Sequence, residues 1–249
     1  MEISDTGLAL SIFAVILVGF AKGGFAGLGA LATPIMALGM APGDAAAILL
    51  PILLVQDPVG LWSFRGQWNW RILKYMFPGA FLGIAIGWGA AASLPIAAML
   101  SILGGTFILF GMWRIWIERQ GPVAPSRLPE PLGILFGAAS GFMSQVAHAG
   151  GPPFQMWVAP KKLPHTQYVG TNMLLFTVMN WIKVPTFWSL GQFHSDQLMF
   201  SLKLMPLAIV STFAGVWLVK RIHGPIFYRI INWLMLLVGA RLLWQGVTG

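Results

Sequence analysis

Residues 7–40, GLALSIFAVILVGFAKGGFAGLGALATPIMALGM, decide the fold, because they contain two apolar runs too short to cross a bilayer. The first run covers 7–21, the second covers 25–40, and the tripeptide Lys22-Gly23-Gly24 separates them. A helix over 7–21 extends only about 22 Å, against a hydrocarbon core of about 30 Å. Irregular backbone at membrane depth survives only inside protein or beside a water-filled cavity. The stretch therefore predicts a broken pair of helices that faces a cavity.

The same arrangement recurs later in the chain. Apolar runs at 132–147 and 152–159 are again short, and the hexapeptide HAGGPP at 148–153 separates them. Both interruptions contain a glycine pair, and glycine readily leaves the helical conformation. We therefore predict two broken helix pairs among longer membrane helices. The remaining apolar runs cover 45–62, 72–92, 96–117, 168–190, 198–219 and 226–244.

The composition assigns the chain to the membrane. Hydrophobic residues make up 57% of the 249 residues and charged residues 9%, against roughly 25% charged in an ordinary soluble domain. Apolar runs of about 20 residues favour spanning helices over an outer-membrane barrel. The net charge of +8 is typical of Lys and Arg in cytoplasmic loops, so we expect no nucleic-acid partner. The chain has no cysteine and only scattered histidines, so neither a metal nor another cofactor is predicted.

The two halves of the chain share their landmarks. Pro42 precedes a long apolar run as Pro164 does, and Pro78 recurs as Pro206. The separation of matching landmarks drifts from about 122 to about 130 residues, as insertions in loops would produce. We therefore predict a first membrane repeat at 1–117, a cytoplasmic linker at 118–131 and a second membrane repeat at 132–249.

The loop charges predict the orientation of these repeats. If each broken pair counts as two passes, each half has five segments, and an odd number inverts one half relative to the other. The loops at 41–44, 89–95 and 191–197 then lie on one side and contain no Lys or Arg. Basic residues collect on the cytoplasmic side. The prediction is an all-α, multi-pass membrane protein with both termini outside the cytoplasm. The basic residues of the opposite loops are Arg65, Arg71, Lys74, Arg114, Arg119, Arg127, Lys161, Lys162, Lys220 and Arg221.

Polar residues at membrane depth are costly, and each is a candidate functional residue. Each also has a structural interpretation. Lys22 and Lys183 lie near predicted helix ends and can extend toward water, and Asp57 can be a packing residue paired with a lysine. Asp57 also precedes Pro58, which interrupts helical hydrogen bonding. The candidates are Lys22, Gln56, Asp57, Gln145, His148, Gln155, Asn172, Asn180 and Lys183.

The two interruptions predict an anion site. A broken helix exposes unpaired backbone N–H groups at a positive dipole end, and inverted symmetry brings two such ends together near the midplane. We expect backbone N–H groups to bind the anion while Lys22 supplies positive charge. Gln145 and His148 can add hydrogen-bond donors. Other glycines are expected only to allow close helix packing. The expected N–H groups belong to Gly23, Gly24, Gly150 and Gly151, and the expected packing glycines are Gly83, Gly87 and Gly104.

The glycine-rich stretch KGGFAGLGA at 22–30, followed by Thr33 and Pro34, resembles the opening of the sulfite exporter TauE/SafE family. RGQ at 65–67, WR at 70–71 and PGAFLG at 78–83 resemble the family's cytoplasmic turn and following helix. The likeness covers nearly the whole chain, because the second half repeats the plan in weaker form. It implies a bacterial inner-membrane transporter of sulfite, an organosulfonate such as sulfoacetate, or a related oxoanion or carboxylate. The two prolines of HAGGPP depart from the expected glycine-rich pattern.

Together these features predict a secondary transporter, most simply an exporter, in which rocking of the two halves alternates access to the site. Asp57 is the candidate for proton coupling, because a desolvated carboxylate can titrate near neutral pH. Export of an anion along the membrane potential also proceeds without a coupled ion. Two other classes stay open. Inverted repeats with broken helices can build a passive anion channel, and an intramembrane enzyme would need a carboxylate cluster that the sequence lacks.

Overall fold

A computed structural model of the chain describes residues 4–23, 28–91, 93–119, 128–219 and 225–248, without the side chains of 118, 219 and 225–232. All regular secondary structure in these ranges is helical. The helices are α1 (Asp5–Lys22), α2 (Ala32–Met36), α3 (Pro42–Ser63), α4 (Trp70–Ala91), α5 (Ile96–Arg119), α6 (Leu132–Ala147), α7 (Gly151–Val158), α8 (His165–Ser189), α9 (Ser195–Val219) and α10 (Pro225–Thr248), with 3₁₀ turns at Leu28–Leu31 and Ala159–Lys161.

Within the described ranges, five helices are long and apolar enough to cross a membrane, namely α1, α3, α4, α5 and α9. Large apolar side chains cover the outer surface, as in Leu135, Trp188 and Leu237, which are 65%, 75% and 67% exposed. Such a surface suits lipid and not water. The chain is therefore an all-α polytopic membrane protein.

The first helix is longer than its apolar run predicts. It begins at Asp5, because the Ser4 hydroxyl accepts the N–H of Gly7 at 3.1 Å and caps the helix start. Its 18 residues extend about 27 Å, close to the thickness of the hydrocarbon core. The prediction that this segment is too short to span the bilayer is therefore wrong. Its partner is shorter than predicted, since α2 and the preceding 3₁₀ turn cover only 28–36.

The second interrupted pair matches its prediction closely. The helix α6 covers Leu132–Ala147, the bounds of the apolar run, and α7 covers only Gly151–Val158. At 16 and 8 residues neither helix reaches across a hydrocarbon core of about 30 Å. The second chain break therefore lies inside the protein, between two helices that are each too short to span the membrane.

Glycines let helices of opposite halves approach closely. A Cβ on Gly83 would lie 2.0 Å from the Ala138 carbonyl oxygen, which places α4 directly against α6. Further along both helices, a Cβ on Gly87 would lie 3.0 Å from Gln145. A Cβ on Gly104 would lie 2.4 Å from a backbone nitrogen of α10. The prediction that Gly83, Gly87 and Gly104 are packing glycines is confirmed.

The packing partners are exchanged between the halves. Whereas α4 of the first half packs along α6 of the second, α9 of the second half packs along α1 of the first. The corresponding helices α3 and α8 lie against each other and run in opposite directions, since Leu50 packs near Phe187 and Gly60 near Met173. The described residues at both chain breaks lie in the interior between α1, α3, α6 and α8.

Candidate functional site

A central cavity lies between the two chain breaks. Its volume is about 610 Å³ with the space at its mouth included. Lys22 and Gly29 border it from the first break, and His148 and Gly151 from the second. A Cβ on Gly151 would lie 3.6 Å from the Cβ of Ala30, so the two breaks face each other directly. The cavity is lined by Val18, Ala21, Lys22, Gly29, Ala30, Ala32, Leu49, Leu53, Ser144, His148, Gly151, Asn172, Met173, Phe176 and Asn180.

At the first break, Lys22 forms a buried ion pair. It is the last residue of α1, and its Nζ atom donates a hydrogen bond to Oδ1 of Asp57 in α3. Asn180 of α8 donates from Nδ2 to the other carboxylate oxygen at 2.9 Å. Lys22 is 6% exposed and Asp57 is fully buried. We call Lys22, Asp57 and Asn180 the first-break cluster; in it the buried carboxylate is paired, as the structural interpretation of Asp57 expected.

The helix α3 continues through Asp57. It runs unbroken over Pro42–Ser63 although Pro51 and Pro58 lie inside it. Proline removes one backbone donor but leaves the neighbouring hydrogen bonds of the helix possible, and membrane helices tolerate this when surrounding helices support them. The Asp57-Pro58 step therefore places a carboxylate on an intact helix and not at a break.

At the second break, Lys183 is buried among neutral groups. Its Nζ atom donates to the carbonyl oxygen and the hydroxyl of Ser144, at 3.2 and 3.0 Å, and contacts Nδ1 of His148 at 2.6 Å. Nε2 of His148 lies 2.8 Å from the carbonyl oxygen of Ala46. Because a carbonyl only accepts, Nε2 carries the proton and Nδ1 accepts from Lys183. We call Lys183, Ser144 and His148 the second-break cluster.

His148 also ends the helix before the break. It adopts a left-handed conformation with φ of 52°, and its N–H donates to the Ser144 carbonyl oxygen at 3.0 Å. Its ring stacks on Phe187 of α8. With both ring nitrogens engaged, His148 lines the cavity but does not offer the free donor that the sequence predicted.

Two of the four glycines expected to bind an anion are packing residues. The N–H of Gly23 donates to Gly19 at 2.9 Å, and a Cβ on Gly23 would lie 2.2 Å from the backbone of Gly215. A Cβ on Gly150 would lie 2.4 Å from the carbonyl oxygen of Ser140. The expectation that Gly23 and Gly150 are not packing residues is therefore wrong. Gly24 lies outside the described residues.

Of the four glycines expected to bind an anion, Gly151 is the one among the described residues that line the cavity. It is the first residue of α7, and the next two are Pro152 and Pro153. Proline has no backbone N–H, so these two positions contribute none of the donors that a helix N-terminus usually offers. The positive end of α7 is thus reduced to the N–H of Gly151 among its first three residues.

The remaining predicted residues divide between the cavity and the helix contacts. Asn172 lines the cavity, whereas Gln145 accepts a hydrogen bond from Thr186 at 3.1 Å and Gln56 donates to the carbonyl of Ala208 at 3.2 Å, both away from the cavity wall. Sequence analysis missed Ser144, which holds Lys183. A signal was present, since Ser144 and His148 are four residues apart and share one face of α6.

A second cavity lies beside the start of α4. Arg71 forms an ion pair there with Glu130, and Nζ of Lys161 lies 4.2 Å from the ring centre of Trp157. Partial burial lowers the pKa of Lys161, the nearby Glu130 raises it and Arg71 lowers it further. In the described part of the chain no three His, Asp or Glu side chains converge as metal ligands would.

Interrupted helices around a buried cavity that Lys22 lines are typical of polytopic membrane transporters. The model of the family described as sulfite exporter TauE/SafE matches residues 11–242. The chain therefore belongs to the sulfite exporter TauE/SafE family. Searches of curated proteins and of solved structures each returned no match.

Proposed function

We propose that this protein is a secondary transporter of a small sulfur-containing anion, such as sulfite or an organosulfonate, and that the central cavity is its binding site. One observation carries the proposal: the described residues of both chain breaks border the same cavity, and Lys22 is among them. Membership of an exporter family supports the same conclusion and favours export over catalysis.

The polar side chains of the cavity suit an anion. Lys22 carries positive charge, Asn172 and Asn180 carry amide N–H groups, and Gly151 contributes a backbone N–H. These groups donate hydrogen bonds, and no Asp or Glu is among the described residues that line the cavity. The anion-binding set is therefore Lys22, Gly151, Asn172 and Asn180, with His148 as a wall.

The two halves are proposed to be inverted repeats that rock against each other. The exchange of packing partners supports this, because α4 with α6 and α1 with α9 are equivalent pairs if the halves match. The antiparallel arrangement of α3 and α8 supports it too, since corresponding helices of inverted halves run in opposite directions. The repeats are 1–117 and 132–249, joined by the linker 118–131.

The proposed location is the bacterial inner membrane, with both termini outside the cytoplasm. The uneven distribution of Lys and Arg between loops supports this orientation. Asp57 remains the candidate for proton coupling. A proton on Asp57 would free Lys22 to bind the substrate, because the same ammonium group serves both partners.

The test is counterflow of radiolabelled sulfite in proteoliposomes of the purified protein. Saturable counterflow is expected in the wild type, which a passive channel would not produce. The variant Lys22→Gln, combined with Asp57→Asn so that no buried carboxylate is left unpaired, is expected to abolish it. Lys203→Gln removes an exposed lysine of α9 and is the matched control, with counterflow retained. Full counterflow in the double variant would contradict the assigned site.

A further inference from the structure

The charges around the central cavity do not cancel. Among the described residues, three charged side chains are buried, namely Lys22, Asp57 and Lys183. Lys22 and Asp57 neutralise each other in the first-break cluster. In the described part of the chain, the hydrogen-bond partners of Lys183 are Ser144 and His148, and neither is acidic.

The excess charge belongs to the second-break cluster as a unit. Nε2 of His148 donates to the Ala46 carbonyl, and Nδ1 shares a proton with Lys183. With one proton retained between Nζ of Lys183 and Nδ1 of His148, the pair carries one positive charge, whichever of the two nitrogens holds it. Ser144 and His148 both line the cavity, so this charge lies directly behind its wall. Residues 24–27, outside the described part, contain no charged side chain.

An uncompensated charge is costly in a region of low dielectric constant. With the proton of the second-break cluster retained, the two buried lysines and the one buried carboxylate leave a single positive charge in excess. A singly charged anion in the cavity cancels it. A doubly charged anion leaves the site negative unless a proton enters with it.

We infer that the cavity selects anions by charge and takes singly charged ones, such as bisulfite or a monosulfonate, in preference to dianions. This inference rests on the proposed function and names the charge class of its substrate. It predicts discrimination against sulfate, a dianion of similar size.

The probes are methanesulfonate and sulfate, which share a tetrahedral sulfur centre and differ by one methyl group in place of one charged oxygen. Binding is measured on purified protein in detergent from the rise in unfolding temperature with anion concentration, which does not require transport. Their different hydration alone gives some preference. For that reason the deciding quantity is the change in the ratio of the two affinities between wild type and variants.

In the wild type we expect methanesulfonate to bind about tenfold more tightly than sulfate, as a buried charge imbalance dictates. Asp57→Asn keeps the side-chain shape and raises the excess to two charges, so the ratio is expected to shift toward sulfate by about tenfold. Lys183→Met removes the excess and is expected to weaken methanesulfonate. Lys203→Met removes a positive charge far from the cavity and leaves the ratio unchanged.

An unchanged ratio in Asp57→Asn would overturn the inference, as would wild-type protein that binds sulfate more tightly or binds neither anion. These outcomes are separable from failure of the proposed function. If sulfite counterflow is absent but the ratio of affinities shifts as expected, the transporter assignment fails while the charge selection stands. Sulfite counterflow together with the same ratio of methanesulfonate to sulfate affinity in wild type and all variants would keep the carrier but remove the charge selection.

Discussion

The two chain breaks place a buried lysine in similar positions but compensate it differently. Lys22 is the last residue of α1, and Lys183 donates to a carbonyl in the last turn of α6. Both ammonium groups therefore lie near the negative end of a helix that stops at a chain break. Lys22 has a carboxylate partner, whereas the partners of Lys183 in the described part of the chain are not acidic. The charges at the first break thus cancel, whereas the positive charge at the second break is left for an anion in the cavity to neutralise.

The largest expected effect is on the first-break cluster. Lys22→Met leaves the fully buried carboxylate of Asp57 with Asn180 as its remaining partner. Breaking a buried ion pair from one side costs about 3–5 kcal/mol. Thermal unfolding in detergent is expected to show a strong loss of stability. Lys22→Met combined with Asp57→Asn is the control and is expected to recover most of it. A double variant as unstable as the single one would contradict the ion-pair interpretation.

The second-break cluster is expected to respond less. Lys183→Met deprives Ser144 and His148 of a donor but leaves no charge behind. Loss of such hydrogen bonds costs about 1–3 kcal/mol. Removal of the uncompensated buried charge offsets part of this cost, so the same unfolding measurement is expected to place this variant between wild type and Lys22→Met. A loss of stability as large as that of Lys22→Met would mean that Lys183 neutralises an acidic group that is not among its described contacts.

The two glycines of the second break, Gly150 and Gly151, allow a packing role to be distinguished from a binding role. Gly150→Ala forces a Cβ to within 2.4 Å of a backbone oxygen, and such overpacking costs about 1–3 kcal/mol. Gly151→Ala meets only ordinary contacts at 3.6 Å, so stability is expected to change by less than about 0.5 kcal/mol. The Gly151 variant instead narrows the cavity and is expected to weaken anion binding. Equal stability of the two variants would show that Gly150 is not a packing residue.

The smallest expected effect is at Asn172. Its side chain lines the cavity, and no hydrogen bond involves it among the described residues. Asn172→Ala is therefore expected to leave the unfolding temperature unchanged and to raise the sulfite concentration for half-maximal counterflow about threefold to tenfold, as loss of one hydrogen bond to a charged group would. Asn69→Ala is a poor control, because Asn69 caps α4. The exposed Lys203 of α9, which is not among the residues that line the cavity, serves better. A lower unfolding temperature with unchanged counterflow would make Asn172 structural.

The pattern of apolar runs predicted the helices well, because the length of each run can be read from the sequence and compared with the thickness of the bilayer. The bounds of α6 agree with the run at 132–147. The start of α1 was missed, since Ser4 caps a polar first turn that carries no apolar signal. The Pro51 and Pro58 steps did not interrupt α3, because α8 and α9 pack beside it.

The site was predicted at the level of the breaks but not of the contacts. The cavity does border both breaks and includes Lys22, His148 and Gly151. Rotation about a helix axis decides whether a glycine meets a cavity or a neighbouring helix, and sequence spacing does not fix that rotation. This is why Gly23 and Gly150 were assigned to binding although they pack against Gly215 and Ser140.

The most direct test of the central cavity is a structure of the purified protein with selenite, which has the shape and charge of sulfite and an anomalous scattering signal. We predict a selenium peak inside the cavity, within hydrogen-bonding reach of Lys22 and beside Gly151. A peak at the second cavity between Arg71 and Lys161, with the central cavity empty in a protein that transports sulfite, would contradict the assignment.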